Sequence, residues 1–329
     1  MKAPLLEARD LDMHFAITGG LLQRELGRVR AVTGVNLALH AGEVLGVVGE
    51  SGCGKTTLAR VLTGLYPPTR GQVLFDGKDL QALSAAERHG MSRRVQMVFQ
   101  DPFASLNPRH RVGRILEMPF ELHGQPAGEP RRRRIEELLA LVGLDPQHLQ
   151  RWPHEFSGGQ RQRIGIARAL ALQPEVLVLD EPLSALDMSI QSQVLNLLVE
   201  LQQRLKLAYL FVSHDLSVVQ YLCDRVAVMY LGRVVEQAST KQLFAMPRHP
   251  YTQSLLAAAP SIDPRQRRTQ PPLQGDVPSP SRPPPGCAFH TRCPRAQARC
   301  SQEVPALRVI KGADTDHLAA CHFAEETLS

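Results

Sequence analysis

Residues 44–62 read VLGVVGESGCGKTTLARVL, an apolar run, a glycine-rich turn and a segment with helical spacing of apolar residues. The turn, GESGCGKT at 49–56, fits G-x-x-x-x-G-K-[ST], and strand, loop and helix follow in the order that pattern requires. Gly49, Gly52 and Gly54 let backbone N–H groups curl around phosphate oxygens. The helix start adds the positive end of its dipole, Lys55 reaches β- and γ-phosphates, and Thr56 offers a hydroxyl to Mg²⁺. Glu50, Ser51, Cys53 and Thr57 complete the candidate nucleotide-binding set. Cys53, inside the loop, would make such a site sensitive to alkylation.

A nucleotide site of this kind needs an α/β sheet to carry it. Strand-like runs at 44–49, 72–77 and 94–100 alternate with glycine turns. Between about 101 and 165 the segments become helical and are broken by prolines. VLVLD at 176–180, a long amphipathic stretch at 189–205, AYLFVSHD and RVAVMYLGRVVE then restore the alternation. That order suits a parallel sheet covered by helices. Beyond about 240, HPYTQSLLAAAP could form one helix, and PPLQGDVPSPSRPPPG at 271–286 reads as a stiff linker. No internal repeat is present.

The chain has 329 residues, 43% of them hydrophobic, enough for a large core. It shows neither a signal-peptide pattern nor a long uncharged apolar run, which predicts a cytosolic protein that does not itself cross a membrane. The net charge of +6 would permit a polyanionic partner. The densest basic run, RRRR at 131–134, leads straight into IEELLALVGL and has no interleaved aromatics, so it reads as a solvated helix start and no nucleic-acid partner is expected.

VLVLDE at 176–181 places two carboxylates at the end of a buried strand, where ligands of open α/β sheets collect. Asp180 would hold Mg²⁺, usually through water, and Glu181 would act as general base on an attacking water. Such a pair is weak alone and persuasive beside the glycine loop.

FSGGQRQRIGIARAL at 156–170 resembles the signature motif of the ATP-binding cassette (ABC) family of transporter ATPases. The rest of that family's motif set follows in order. Gln100 matches the Q-loop, Ser184-Ala185-Leu186-Asp187 the D-loop and His214 the switch histidine, and Phe15 sits where the family places an aromatic under adenine. The resemblance covers about residues 5–240. It implies a P-loop NTPase fold with a RecA-like α/β core, an antiparallel β subdomain and a helical subdomain at about 101–165. It also implies a head-to-tail dimer in which Ser157, Gly158, Gly159 and Gln160 of one cassette face ATP held by the other's P-loop. Gln100 would contact Mg²⁺ and the attacking water, and His214 the γ-phosphate.

FQDPFASLNPR at 99–109, HPYTQSLL at 249–256 and SPSRPPPGCAFHTRCP near the end resemble the dipeptide and oligopeptide importer branch. That resemblance divides the chain into a cassette at 1–240 and a small cysteine-containing extension at 241–329. Cys287, Cys293, Cys300 and Cys321 are separated by five, six and twenty residues, a spacing that selects no metal. In a reducing compartment disulfides are disfavoured, leaving a [4Fe–4S] cluster, Zn²⁺ with His290, His317 or His322 as substitute ligands, or no metal. The resemblance favours the iron–sulfur cluster in a structural role.

The expectation is an ATP-hydrolysing importer subunit at the cytoplasmic face of the inner membrane. Two permease subunits, a second and dissimilar ATPase, and an extracytoplasmic peptide-binding protein would complete the system. A nickel, haem or antimicrobial-peptide importer would use the same cassette chemistry. A soluble cassette ATPase of DNA repair or translation would ordinarily carry two cassettes, a long coiled-coil insertion or a basic arm, and this sequence has none of these.

Overall fold

The computed structural model describes residues 3–19, 24–258, 275–311 and 316–326, so the start of the proline-rich stretch at 271–286 lies outside the described residues. The chain divides into two compact units. One is built mainly from Leu39–Glu43 with Ala82–Val212; the other comprises Leu5–Ala38, Val44–Gln81 and Ser213–Ser329.

In the first unit, strands Val95–Val98, Val176–Asp180 and Ala208–Ser213 pair in parallel, with Val95 opposite Val176 and Val176 opposite Ala208. Every residue of VLVLD and AYLFVS is buried, as expected of parallel strands covered on both faces. The even register brings the carboxyl ends of the strands level, and Gln100 and Glu181 follow two of those ends.

The helices of this unit follow apolar spacing. Val112–Leu122 buries Val112, Ile115, Leu116 and Phe120 on one face, and Met188–Leu205 buries Val194, Leu197, Leu198 and Leu201. Helix Glu129–Leu141 begins with Pro130 in its first turn and exposes Arg132 and Arg133 of its basic run. There Arg132 pairs with Glu136, Arg133 with Glu129 and Arg134 with Glu137. Exposed pairs of this kind contribute only about 0.5 kcal/mol each. They occupy the charges of 132–134 locally on the outer helix face, whereas the Arg131 side chain, 10% exposed, folds back onto the carbonyls of Gln125 and Pro126.

In the second unit, Leu6–Gly19 lies between Arg24–Leu39 and Arg70–Phe75 in an antiparallel sheet, with Leu6 opposite Phe75 and Ala8 opposite Val73. Separately, the fully buried strand Val44–Val48 pairs in parallel with Arg225–Tyr230, which turns back antiparallel into Arg233–Ser239. The short strand Leu318–Ala319, near the chain's end, adds to the edge of Arg233–Ser239, with Glu236 opposite Ala319, and Arg308–Val309 pairs with it in turn.

The extension is thus held by main-chain pairing and by packing. Phe289, 1% exposed, inserts its ring among Tyr230, Tyr251 and His249 at centroid distances of 5.3, 5.4 and 5.8 Å. Burying one such ring supplies about 2–3 kcal/mol. Glu236, fully buried, accepts from the backbone N–H groups of Arg248 at 2.6 Å and His249 at 2.8 Å, and its carboxyl lies 2.7 Å from His317 Nε2.

Candidate functional site: a phosphate loop and a carboxylate strand end

In the second unit the chain leaves strand Val44–Val48, turns through residues 49–54 and enters helix Lys55–Leu62. Gly54, just before the helix, has φ 107°, and a Cβ there would lie 2.1 Å from the carbonyl oxygen of Ala31. Only glycine allows that approach. Gly232 N–H fixes the loop further by donating to Cys53 O at 2.8 Å.

Lys55, 4% exposed, folds its amino group back into the turn and donates to Gly49 O at 2.8 Å and Glu50 O at 3.1 Å. The helix has no side-chain cap and no acidic residue in its first turn. A buried ammonium beside the positive end of a helix suits a polyphosphate. The hydroxyl of Thr56 and the carboxylate of Asp180 are oxygen donors of the hard type Mg²⁺ prefers.

Cys53 is enclosed within the loop. Its thiol is 3% exposed, and burial pushes its pKa up against the opposing pull of Lys55. Burial of this kind suits a small packed residue within the loop.

Elsewhere in this unit Phe15 is 37% exposed and meets Tyr66 edge-on at 5.8 Å; Arg60 stands over the Tyr66 ring at 5.9 Å. His214 is exposed, between strand Ala208–Ser213 and helix Leu216–Leu222. The following Asp215 caps that helix, accepting from Ser217 N–H at 2.8 Å.

In the first unit Asp180 is buried, 1% exposed, at its strand's last position. Glu181 follows with φ 45°, a left-handed conformation that costs a non-glycine residue about 1 kcal/mol or more. Its N–H donates to Val212 O at 3.0 Å, and its carboxylate accepts from Gln100 Nε2 at 3.0 Å. The Ser184 hydroxyl donates to Glu181 O at 3.0 Å, tying the following loop to the strand end. Asp187 then caps helix Met188–Leu205, accepting from Ile190 N–H at 2.9 Å.

Ser157 caps helix Gly158–Leu170 through a reciprocal pair: Gln160 N–H donates to Ser157 Oγ at 3.3 Å, and Ser157 N–H donates to Gln160 Oε1 at 3.1 Å. A Cβ at Gly159 would lie 2.2 Å from Ile190 Cγ2, so this helix start packs directly against the helix that Asp187 caps.

The cysteine tail requires a correction. Cys287, Cys293, Cys300 and Cys321 do line one small cavity of about 20 Å³, beside Phe289 and Phe323. Among the described residues, however, no group of three or more His, Cys, Asp or Glu side chains is placed to hold a metal ion. Neither the expected [4Fe–4S] cluster nor its zinc alternative is supported. Burial pushes the Cys287 thiol up to about 11 and raises those of Cys293 and Cys321. The three histidines considered as substitutes have other partners: His290 Nδ1 lies 2.9 Å from Cys287 O, His317 is engaged with Glu236, and His322 Nε2 lies 3.1 Å from Glu303 O.

Sequence reasoning missed two residues at the phosphate loop, Tyr251 and Arg292. Tyr251 Oη accepts from Glu50 N–H at 2.8 Å, and Arg292 forms a two-pronged ion pair with the Glu50 carboxylate at 2.7 and 3.0 Å. Both belong to motifs read only as marks of a subfamily.

A glycine loop with a buried lysine, a strand-end carboxylate pair and a capped SGGQ helix define a P-loop nucleotide hydrolase of the cassette class. The ABC transporter family matches residues 32–184, and the oligopeptide/dipeptide transporter C-terminal region matches 235–300. The oligopeptide transport ATP-binding protein AppF of Bacillus subtilis is 52% identical, over 97% of each chain. The di/tripeptide transport ATP-binding protein DppF of Pseudomonas aeruginosa is 49% identical, over 98% of this chain and 99% of its own.

Among solved structures, cbiO1 of Clostridium perfringens, part of an ABC transporter complex, superposes with a TM-score of 0.62 at 31% identity, covering 74% of this chain and 92% of that one. A dimeric ATP-binding cassette in a post-hydrolysis state with ADP and phosphate gives 0.63 at 27% identity, covering 71% and 98%. The chain belongs to the ABC transporter family, as an ATP-hydrolysing subunit of the branch that carries the oligopeptide/dipeptide C-terminal region.

Proposed function

We propose that this subunit drives uptake of di- or oligopeptides across the inner membrane from its cytoplasmic face. The observation that carries the substrate class is full-length similarity to two peptide-transport ATP-binding proteins, with the peptide-transporter C-terminal region present at 235–300. No helix among the described residues is long and apolar enough to cross a membrane. The path for the peptide is therefore assigned to two permease subunits, and its capture to an extracytoplasmic binding protein. The boundary near 240 separates the cassette from an extension at 241–329.

The roles follow from the chemistry of each group. Lys55 and the N–H groups of residues 49–57 take the phosphates of ATP, with Phe15 against the adenine. Thr56, Asp180 and Gln100 are the residues that would hold Mg²⁺, which would supply neutralisation of the charge that develops on the phosphates. Glu181 accepts a proton from the attacking water as its oxygen bonds to phosphorus and the bond to ADP breaks, and His214 steadies the γ-phosphate. Ser157, Gly158, Gly159 and Gln160 serve a second cassette's nucleotide in a head-to-tail pair, with Asp187 beside them. A related but different ATPase is the favoured partner. The dimeric cassette with ADP and phosphate is a precedent for pairing.

Uptake of a labelled di- or tripeptide, in cells whose resident copy is replaced by Glu181→Gln, tests the substrate. Uptake should fall to background. Unchanged peptide uptake with loss of nickel or haem uptake would move the subunit to one of those importers.

A further inference from the structure

Glu50 is the second residue of the phosphate loop, and all of its polar groups are engaged. Its carbonyl accepts from Lys55 Nζ at 3.1 Å, its N–H donates to Tyr251 Oη at 2.8 Å, and its carboxylate takes both terminal nitrogens of Arg292. Two of these three holds come from beyond residue 240. Arg292 is itself built in: its side chain is 5% exposed, its guanidinium lies 5.9 Å from the centre of the Tyr230 ring, and Nη1 is 3.5 Å from Tyr230 Oη. Tyr230 and Tyr251 stack at 4.7 Å.

The pair with Glu50 holds Arg292 charged well above the ordinary guanidinium range. Its Nε is buried without a partner, a cost the fold bears to aim both terminal nitrogens at one carboxylate.

We infer that Arg292 and Tyr251 are positioning residues for ATP, through which the C-terminal extension sets the phosphate loop. Two physical effects act together. The ion pair and the phenol fix Glu50, and the Glu50 and Gly49 carbonyls fix the Lys55 ammonium that receives phosphate. Arg292 also cancels a negative charge that would otherwise stand in a loop built to receive a polyanion. An extension whose sequence marks only a subfamily is thereby a working part of the nucleotide site.

The inference rests on residues 49–56 being that site, and the test separates the two. Binding of a fluorescent ATP analogue with Mg²⁺ is measured on the full-length chain, with thermal unfolding in its absence. Arg292→Ala is expected to weaken binding about tenfold, within the usual range of coupling between sites. Adding Glu50→Gln should restore the part of that loss that comes from the stranded charge, which goes with the carboxylate, whereas a merely structural role would lower thermal stability without that rescue. If Arg292→Ala does not fold, Arg292→Gln keeps the packing and is read the same way. Affinity within twofold of wild type, or a loss that Glu50→Gln does not rescue, overturns the inference. Lys55→Ala is the control: binding retained in that variant would overturn the phosphate-loop reading itself.

Discussion

Gln100 donates its side-chain amide to the carboxylate of Glu181 at 3.0 Å, joining the ends of two adjacent parallel strands. The hydrogen bond holds the carboxylate of a residue whose backbone is already confined to a left-handed conformation. A carboxylate so held is aimed by both its main chain and its neighbour, as a general base must be.

Replacing Glu181 by Gln keeps the shape and removes the proposed proton acceptor. ATP hydrolysis should fall about 10²- to 10³-fold, while affinity for MgATP stays within about threefold. Phosphate release and nucleotide binding on the purified chain measure the two separately. A variant that still hydrolysed at a tenth of the wild-type rate would remove Glu181 from the role of base.

The extension carries its own pH dependence. Burial pushes the His249 imidazole down to about 4 from an ordinary 6.5, even though Glu236 pulls the other way. Between those values the unfolded chain binds a proton that the folded chain refuses, so this residue's contribution to stability is lost as pH falls from about 6.5 to 4. The full span corresponds to about 3 kcal/mol. In denaturant titrations the stability gap between wild type and His249→Gln should therefore narrow steadily across that window. Parallel curves would mean that His249 protonates equally in both states.

Glu236 organises that region through three hydrogen-bond partners. Glu236→Leu would leave the Arg248 and His249 N–H groups and His317 without their acceptor, at a cost of about 3 kcal/mol or more. Urea unfolding should show this as a lower midpoint. A loss under 1 kcal/mol would mean that water replaces the carboxylate and that the site is less enclosed than its burial indicates.

The parts legible in the sequence were those whose chemistry is local. The loop at 49–56, the carboxylates of 180–181 and the helix start at 157–160 each carry their strand, turn or helix signals within a few residues, and those local elements form where the signals lie. The basic run was legible at 132–134 for the same reason, since the acidic partners of those three arginines lie three or four residues away. What failed was chemistry that depends on burial and direction. Four cysteines and nearby histidines match a metal site by residue type, yet among the described residues no three of them are placed to hold one ion, and the histidines face other groups. The grip of Arg292 on Glu50 spans 242 residues, and nothing near either residue announces it.

Cys53 extends that lesson to a testable rate. Its thiol is enclosed, and its raised pKa leaves little thiolate at neutral pH despite the nearby Lys55 ammonium. Alkylation by a maleimide at pH 7.5, followed at the Cys53 peptide by mass spectrometry, should be slower than that of a free thiol by about 10²-fold or more. MgATP should change the rate little, because the folded loop already shields the sulfur, and the rate should rise with denaturant in step with unfolding. Rapid labelling that nucleotide suppresses would instead show that the loop opens locally without ATP and that its closure belongs to the binding step.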